Sequence, residues 1–361
     1  MKPRNIAIAC GVAGAAVGLA AATGIVYRKQ IKSVASLKRL TDYADGYDLY
    51  AIDIAYGYDL DRIIAAGVCD DQAYIDAVVA QVLPGAPAHV QAPQFACSAF
   101  VAVDAEGRVR TGRNYDFKDD TSALLVRNHP RDGYASIGFA ALNNLGDNTP
   151  LDSVAGRAAA LMGPFAQLDG VNECGVSIAV LTLDSKPCDQ DTKRPVINTS
   201  LAIRLVLDRA ATTQEAVDLL SVYDMHAMAG RDYHFFINDA AGDARVVEWD
   251  PRDPDRAFKA TPVRQVTNFY ACYGNEVLLN QKNGELGHGK ERAVAIADVL
   301  DAHVGAQDET IAWEALRAAA QEPNPEDITS NTQWSVVFDN TEPAAAITLR
   351  RHWGNVDAFA L

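Results

Sequence analysis

Three prolines within ten residues, in Pro84-Gly-Ala-Pro-Ala-His-Val-Gln-Ala-Pro93, divide this chain into two unlike parts. Proline locks φ and lacks the N–H that a helix needs, so the stretch is a linker. Before it, residues 43–93 read as a separate small helical unit. There Asp70 or Asp71 caps a helix with Tyr74, Ile75, Val78, Val79, Val82 and Leu83 on one apolar stripe. Beyond the linker the pattern turns to short strands. Residues 95–103 and 108–115 form a hairpin around Asp104-Ala-Glu-Gly107, and a second hairpin surrounds Asp169-Gly-Val-Asn-Glu-Cys-Gly175 and runs into a strand at 176–183. Helices are expected at 199–210 and 213–221, the latter capped by Thr213. Strands return at 233–238 and 244–249, a helix follows at 291–303, and a last hairpin pairs 334–338 with 344–350. Hairpins, then helices, then hairpins again give an α+β layered domain with antiparallel sheets.

The N-terminus reads differently. Residues 6–26 are 21 consecutive uncharged residues, with Lys2 and Arg4 before them and Arg28, Lys29 and Lys32 after. As a helix they would span roughly 32 Å, close to a bilayer core. The expectation is a single-pass membrane anchor within residues 1–30, with the domain on the extracytoplasmic side. The basic residues after the run, no fewer than those before it, favour the opposite orientation.

Composition removes several function classes. The chain carries 47 acidic and 32 basic residues, a net charge of −15, which argues against nucleic-acid binding. Six cysteines include no C-x-x-C pair, and the seven histidines no H-x-x-x-H pair, so neither a metal site nor a cofactor is expected. His226, His234 and His288 read as structural histidines.

Cys97 opens the first strand after the linker, and a buried strand cysteine is the ordinary reading of that position. Its neighbours change the reading. Arg113 lies 16 residues after Cys97 and Asp116 lies 19 after, so the tight hairpin carries both back beside it. A guanidinium near a thiol favours the nucleophilic thiolate, and a carboxylate there can hold an ammonium or orient a base.

The pattern "FACSAF…GRVRTGRNYDF" resembles the N-terminal-nucleophile cysteine hydrolases of the choloylglycine hydrolase, penicillin V acylase and acid ceramidase type, whose cysteine is followed at these two spacings by an arginine and an aspartate. "DGVNECGVSIAVL", "HFFINDAAGDARVVEW", "VTNFYACYGN" and "GKERAVAIADVL" continue the likeness in the family's order over about residues 95–350. The resemblance implies a four-layer αββα fold on residues 97–361, preceded by the anchor and by a helical pro-segment or small subunit at 31–96. It leaves open whether residues 27–96 stay bound after cleavage.

It further implies that the precursor is cut between Ala96 and Cys97, so that the freed α-amino group of Cys97 serves as base to its own thiol. Asp116 would hold that amine, Arg113 would sit beside the sulfur, Asn268 would donate to the oxyanion, and Arg292 would pair with the carboxylate. Some members carry an asparagine where Thr182 ends the strand here, so Thr182 is a secondary oxyanion candidate. Asn172, also in a family motif, reads as a turn residue. The activity implied is hydrolysis of linear, non-peptide C–N bonds in an N-acyl amide: an N-acyl amine, a conjugated bile acid or an acylated amino acid. A related acyltransferase is the alternative within the same chemistry. A papain-like protease lacks its signature around Cys97, and a non-catalytic membrane-tethered binding domain on the same fold is the reading from another class. Pocket walls are expected from the loops at 118–132 and 143–161.

Overall fold

The computed structural model describes residues 27–84, 96–146, 148, 151–274, 276, 289–324 and 330–361. The strands are β1 (Lys38–Arg39), β2 (Leu49–Ile54), β3 (Ala96–Val103), β4 (Val109–Asp116), β5 (Ala123–Asn128), β6 (Ser136–Ala141), β7 (Gln167–Asn172), β8 (Ser177–Leu183), β9 (Val196–Asn198), β10 (Asp224–His226), β11 (Asp232–Asn238), β12 (Ala244–Trp249), β13 (Phe258–Pro262), β14 (Gln265–Val266), β15 (Thr332–Asp339), β16 (Ala344–Leu349) and β17 (Asp357–Ala360). They build a nine-stranded sheet, β1-β2-β5-β6-β7-β8-β11-β12-β13, and a six-stranded sheet, β14-β3-β4-β15-β16-β17. β9 and β10 pair separately.

The two sheets face each other. Thr111 on β4 hydrogen-bonds Ser177 on β8, and Trp334 on β15, stacked on its strand neighbour Tyr115, reaches Asp169 on β7 of the other sheet. Helices α1 (Thr199–Arg209) and α2 (Thr213–Ser221) pack on the nine-stranded sheet. On the outer face of the six-stranded sheet, Phe100, Ala102 and Val337 meet Ile296, Leu300, Ala312, Leu316 and Ala319 of α3 (Gly289–Ala302) and α4 (Glu309–Ala319). The order is therefore helix, sheet, sheet, helix, the α+β architecture expected.

Gly112 shows how tightly the hairpin is built. It pairs with Phe100 across β3 and β4, and a Cβ at Gly112 would lie 2.2 Å from the Phe100 ring. Gly112→Ala should cost about 1–3 kcal/mol of stability, read as a lowered melting midpoint. An unchanged midpoint would contradict this packing.

Several expectations are corrected. Residues 43–93 are not a separate helical unit, because β2 pairs in parallel with β5 and belongs to the nine-stranded sheet. The expected helix does form at Asp71–Val82, capped by Asp70, whose side chain accepts from Ala73 N at 2.8 Å. A shorter helix, Leu60–Ala65, precedes it. The expected loop at 118–132 contains β5, and the segment at 143–161 contains the helix Val154–Ala160. Thr212, not Thr213, caps α2, accepting from Glu215 N, because Thr213 already turns its hydroxyl to Asp243 O.

The single-pass membrane assignment is also corrected. Among the described residues no helix is long and apolar enough to cross a membrane. The helix at Arg28–Ser36 is nine residues and carries three cations, Arg28, Lys29 and Lys32. The run at 6–26 and the linker at 85–95 lie outside the described residues.

Candidate active site

Strand register sets the first part of the site. β3 and β4 pair Cys97 with Tyr115, Ala96 with Asp116 and Ala99 with Arg113. The spacing argument thus places Arg113 and Asp116 beside Cys97, and all three are fully buried.

The rest of the chain closes around them. Arg292, in the first turn of α3, donates from Nη1 to the carbonyl of Cys97 at 2.7 Å and to Asp116 Oδ2 at 3.0 Å. Its Nη2 donates to Asn268 Oδ1. The same Asn268 oxygen accepts the Cys97 backbone N–H at 3.0 Å, while Asn268 Nδ2 donates to the carbonyl of Thr182 at 2.7 Å. Two donors on one oxygen fix which way this amide faces. Both backbone polar groups of Cys97 are therefore held by side chains from distant parts of the chain.

Asp116 also accepts from Thr332 Oγ1 at 2.6 Å and from Gln321 Nε2 at 3.1 Å. A register shift in β15 between Thr332 and Trp334 leaves Thr332 opposite Asp116. Burial raises the Asp116 pKa, against the pull of Arg292 and these two donors.

Arg113 lies between the sheets with its Nε 2.7 Å from Asp169 Oδ2. It also donates to the carbonyls of Val180 and Asn114. Burial pulls the Arg113 pKa down, but its interactions with Cys97, Asp169 and Asp116 more than offset this. Asp169 itself is pushed up to about 6 by burial, with Arg113 and Trp334 opposing.

Burial pushes the Cys97 thiol up to about 11, and Arg113, which pulls it down in the direction its spacing implies, only partly counters this. In the uncut chain the sulfur therefore keeps its proton at neutral pH, and attack needs a base. Arg113 should still set how readily the proton leaves. Arg113→Ala, combined with Asp169→Asn so that no buried carboxylate is stranded, should slow alkylation of Cys97 by iodoacetamide about tenfold or more. Equal alkylation rates would remove Arg113 from the sulfur's electrostatics.

Thr182 takes part through its backbone carbonyl, and its hydroxyl is buried apart from the hydrogen bonds described here. Asn172 is a turn residue, as read. Its Oδ1 accepts from Cys174 N and Val176 N, and its Nδ2 donates to the carbonyls of Leu207 and Ala210. Sequence reasoning missed Asp169, Gln321 and Thr332. Asp169 had a signal, because it opens the hairpin motif already singled out. Gln321 and Thr332 lie more than 200 residues from Asp116 and had none.

A family model described as acyl-coenzyme A:6-aminopenicillanic acid acyl-transferase matches residues 103–352. No curated protein matches the chain. Among solved structures, penicillin V acylase from Agrobacterium tumefaciens is similar, with a TM-score of 0.55 and 21% identity over 73% of this chain and 86% of that one. A mutant of the conjugated bile acid hydrolase from Clostridium perfringens gives a TM-score of 0.56 and 15% identity over 73% of this chain and 92% of that one. At such identities the structural likeness establishes the fold.

Proposed function

Since the chain belongs to the acyl-coenzyme A:6-aminopenicillanic acid acyl-transferase family, we propose that it is a self-processing cysteine amidase acting on linear N-acyl amides. The observation that carries this reading is the grip on Cys97, whose N–H meets Asn268 and whose carbonyl meets Arg292. A buried strand cysteine with a purely packing role has no need of side chains on both of its backbone groups.

The chemistry runs in two stages. In the first, the Cys97 sulfur attacks the carbonyl of Ala96, the Ala96–Cys97 peptide bond breaks, and the acyl group passes to sulfur as a thioester. The nitrogen, released in that step, takes up the thiol proton and becomes the free α-amine; water then hydrolyses the thioester, releasing the Ala96 carboxylate and restoring the Cys97 thiol. In the second, that amine takes the thiol proton. An α-amine titrates near 7.7–8.0, so it can accept a proton close to neutrality. The thiolate attacks the substrate amide, and Asn268 offers an N–H to the oxyanion; loss of such a donor costs on the order of 10²–10³ in turnover. The leaving amine departs with the proton, and water releases the acid from the acyl-enzyme. Arg292 keeps Asp116 ionised beside the amine, and Arg113 steadies the sulfur.

The solved neighbours are named for penicillin V and conjugated bile acids, and both names support an amide substrate with a bulky apolar acyl part. The family description favours a second reading, in which an amine and not water takes the acyl group. The test is release of free amine from N-acyl amino acids and N-acyl amines of increasing chain length, with and without an added acceptor amine. Thiol-dependent release that is lost in Cys97→Ser supports the proposal, and a new amide with the acceptor selects the transferase. No release by protein already cut at Cys97 would overturn it.

A further inference from the structure

Asn268 sits in the segment between β14 and α3, and the placement of its side chain depends on how that segment is held. At its start, Thr267 donates its hydroxyl to the carbonyl of Gly289, the first residue of α3. Further along, a single 3-10 turn spans Ala271–Tyr273. The first N–H groups of such a turn have no partner within it. Here Glu248 of β12 supplies the partners. Its Oε2 accepts from Ala271 N at 3.1 Å and its Oε1 from Cys272 N.

Glu248 is fully buried; the Cys272 side chain hydrogen-bonds it, and His234 of β11, also fully buried, meets it with Nδ1 3.3 Å from Oε2. A buried carboxylate is costly unless it is paired and hydrogen-bonded. The two residues come together because β11 and β12 pair Phe235 with Val247, and the next step of that register sets His234 against Glu248. Neither residue touches Cys97, Arg113, Asp116 or Arg292 in the hydrogen bonds above.

We propose that Glu248, oriented by His234, is a positioning residue that clamps the 271–272 backbone and so places Asn268 against Cys97. Its catalytic consequence rests on the amidase reading. The placement itself does not, because the Asn268–Cys97 hydrogen bond exists in the uncut chain.

Two measurements follow. In the uncut Cys97→Ala background, Glu248→Gln should speed amide exchange at residues 271, 272 and 97 by about tenfold or more, since glutamine sets an N–H against one of the two backbone donors. Faster exchange at 271 and 272 with residue 97 unchanged would overturn the proposal. In the cutting-competent chain, Glu248→Gln should lower kcat about 10–10²-fold with KM nearly constant, because small misplacements of a catalytic group cost rates of that order. His234→Leu should act in the same direction, and His234→Asn, which returns a donor near the Nδ1 position, should recover most of the rate. Loss that merely follows the melting midpoint, or no recovery in His234→Asn, would contradict the clamp. If the wild type neither cuts nor turns over amides, the amidase reading falls and the exchange at residue 97 still decides the placement.

Discussion

Replacing Arg292 with methionine should abolish processing and amide turnover together. The guanidinium joins the Cys97 carbonyl, Asp116 and Asn268 in one network, and methionine keeps the stem while removing every donor. Turnover should fall by about 10² or more, as for loss of a group that organises the oxyanion site. Stability should fall too, by about 3 kcal/mol near neutrality, because a buried carboxylate is left without its cation.

The pH dependence has a definite sign. The folded pKa of Asp116 is already raised by burial, and it rises further once Arg292 is gone. A raised folded pKa gives stability that is complete below the unfolded value and is lost as pH rises through the folded one. The variant should therefore be relatively more stable in weak acid than in weak base. Adding Asp116→Asn should restore the stability but not the activity. A single variant that is inactive yet fully stable at every pH would contradict the pairing.

Expressing residues 97–361 without the preceding segment should give insoluble protein, and supplying residues 1–96 as a separate chain should rescue it. Leu49, Ile52, Ile63, Ile75, Val78 and Val82 are at most 1% exposed and belong to the main core. Burying each such side chain is worth about 1.5–3 kcal/mol, so together they are comparable to the whole margin by which a domain is stable. Polar ties add to them: Tyr74 donates to the Phe165 carbonyl at 2.9 Å, and Arg350 pairs with Asp45 at 2.7 Å. If the chain is cut at Cys97 as proposed, the segment is expected to stay bound as a small subunit. A soluble 97–361 fragment with a cooperative thermal transition would contradict this.

What the sequence revealed follows the range of its signals. The 96–116 hairpin was legible because its turn, its strand lengths and the Cys97, Arg113 and Asp116 spacing all lie within about twenty residues. The same holds for the Asp70-capped helix and the 244–249 strand. β2 was not legible as part of the sheet. Its parallel partner begins at Ala123, beyond the linker, and no local pattern encodes such a pairing. β5 was hidden for a related reason, because the polar stretch Lys118-Asp-Asp-Thr-Ser122 before it reads as the start of a loop. Within the site, Asn268 and Arg292 were reached through motifs, whereas Gln321 and Thr332 converge on Asp116 only in three dimensions. The pull of Arg113 on the Cys97 thiol is legible from the spacing, whereas the burial that outweighs it emerges only in the fold.

The denatured intact mass and N-terminal sequence of the purified protein, wild type beside Cys97→Ala, test the central claim most directly. Two fragments in the wild type, the larger beginning at Cys97, and one uncut chain in the variant are the predicted result. A single uncut chain in both, at acidic and at neutral pH, would show that Cys97 has no free α-amine and would contradict the mechanism.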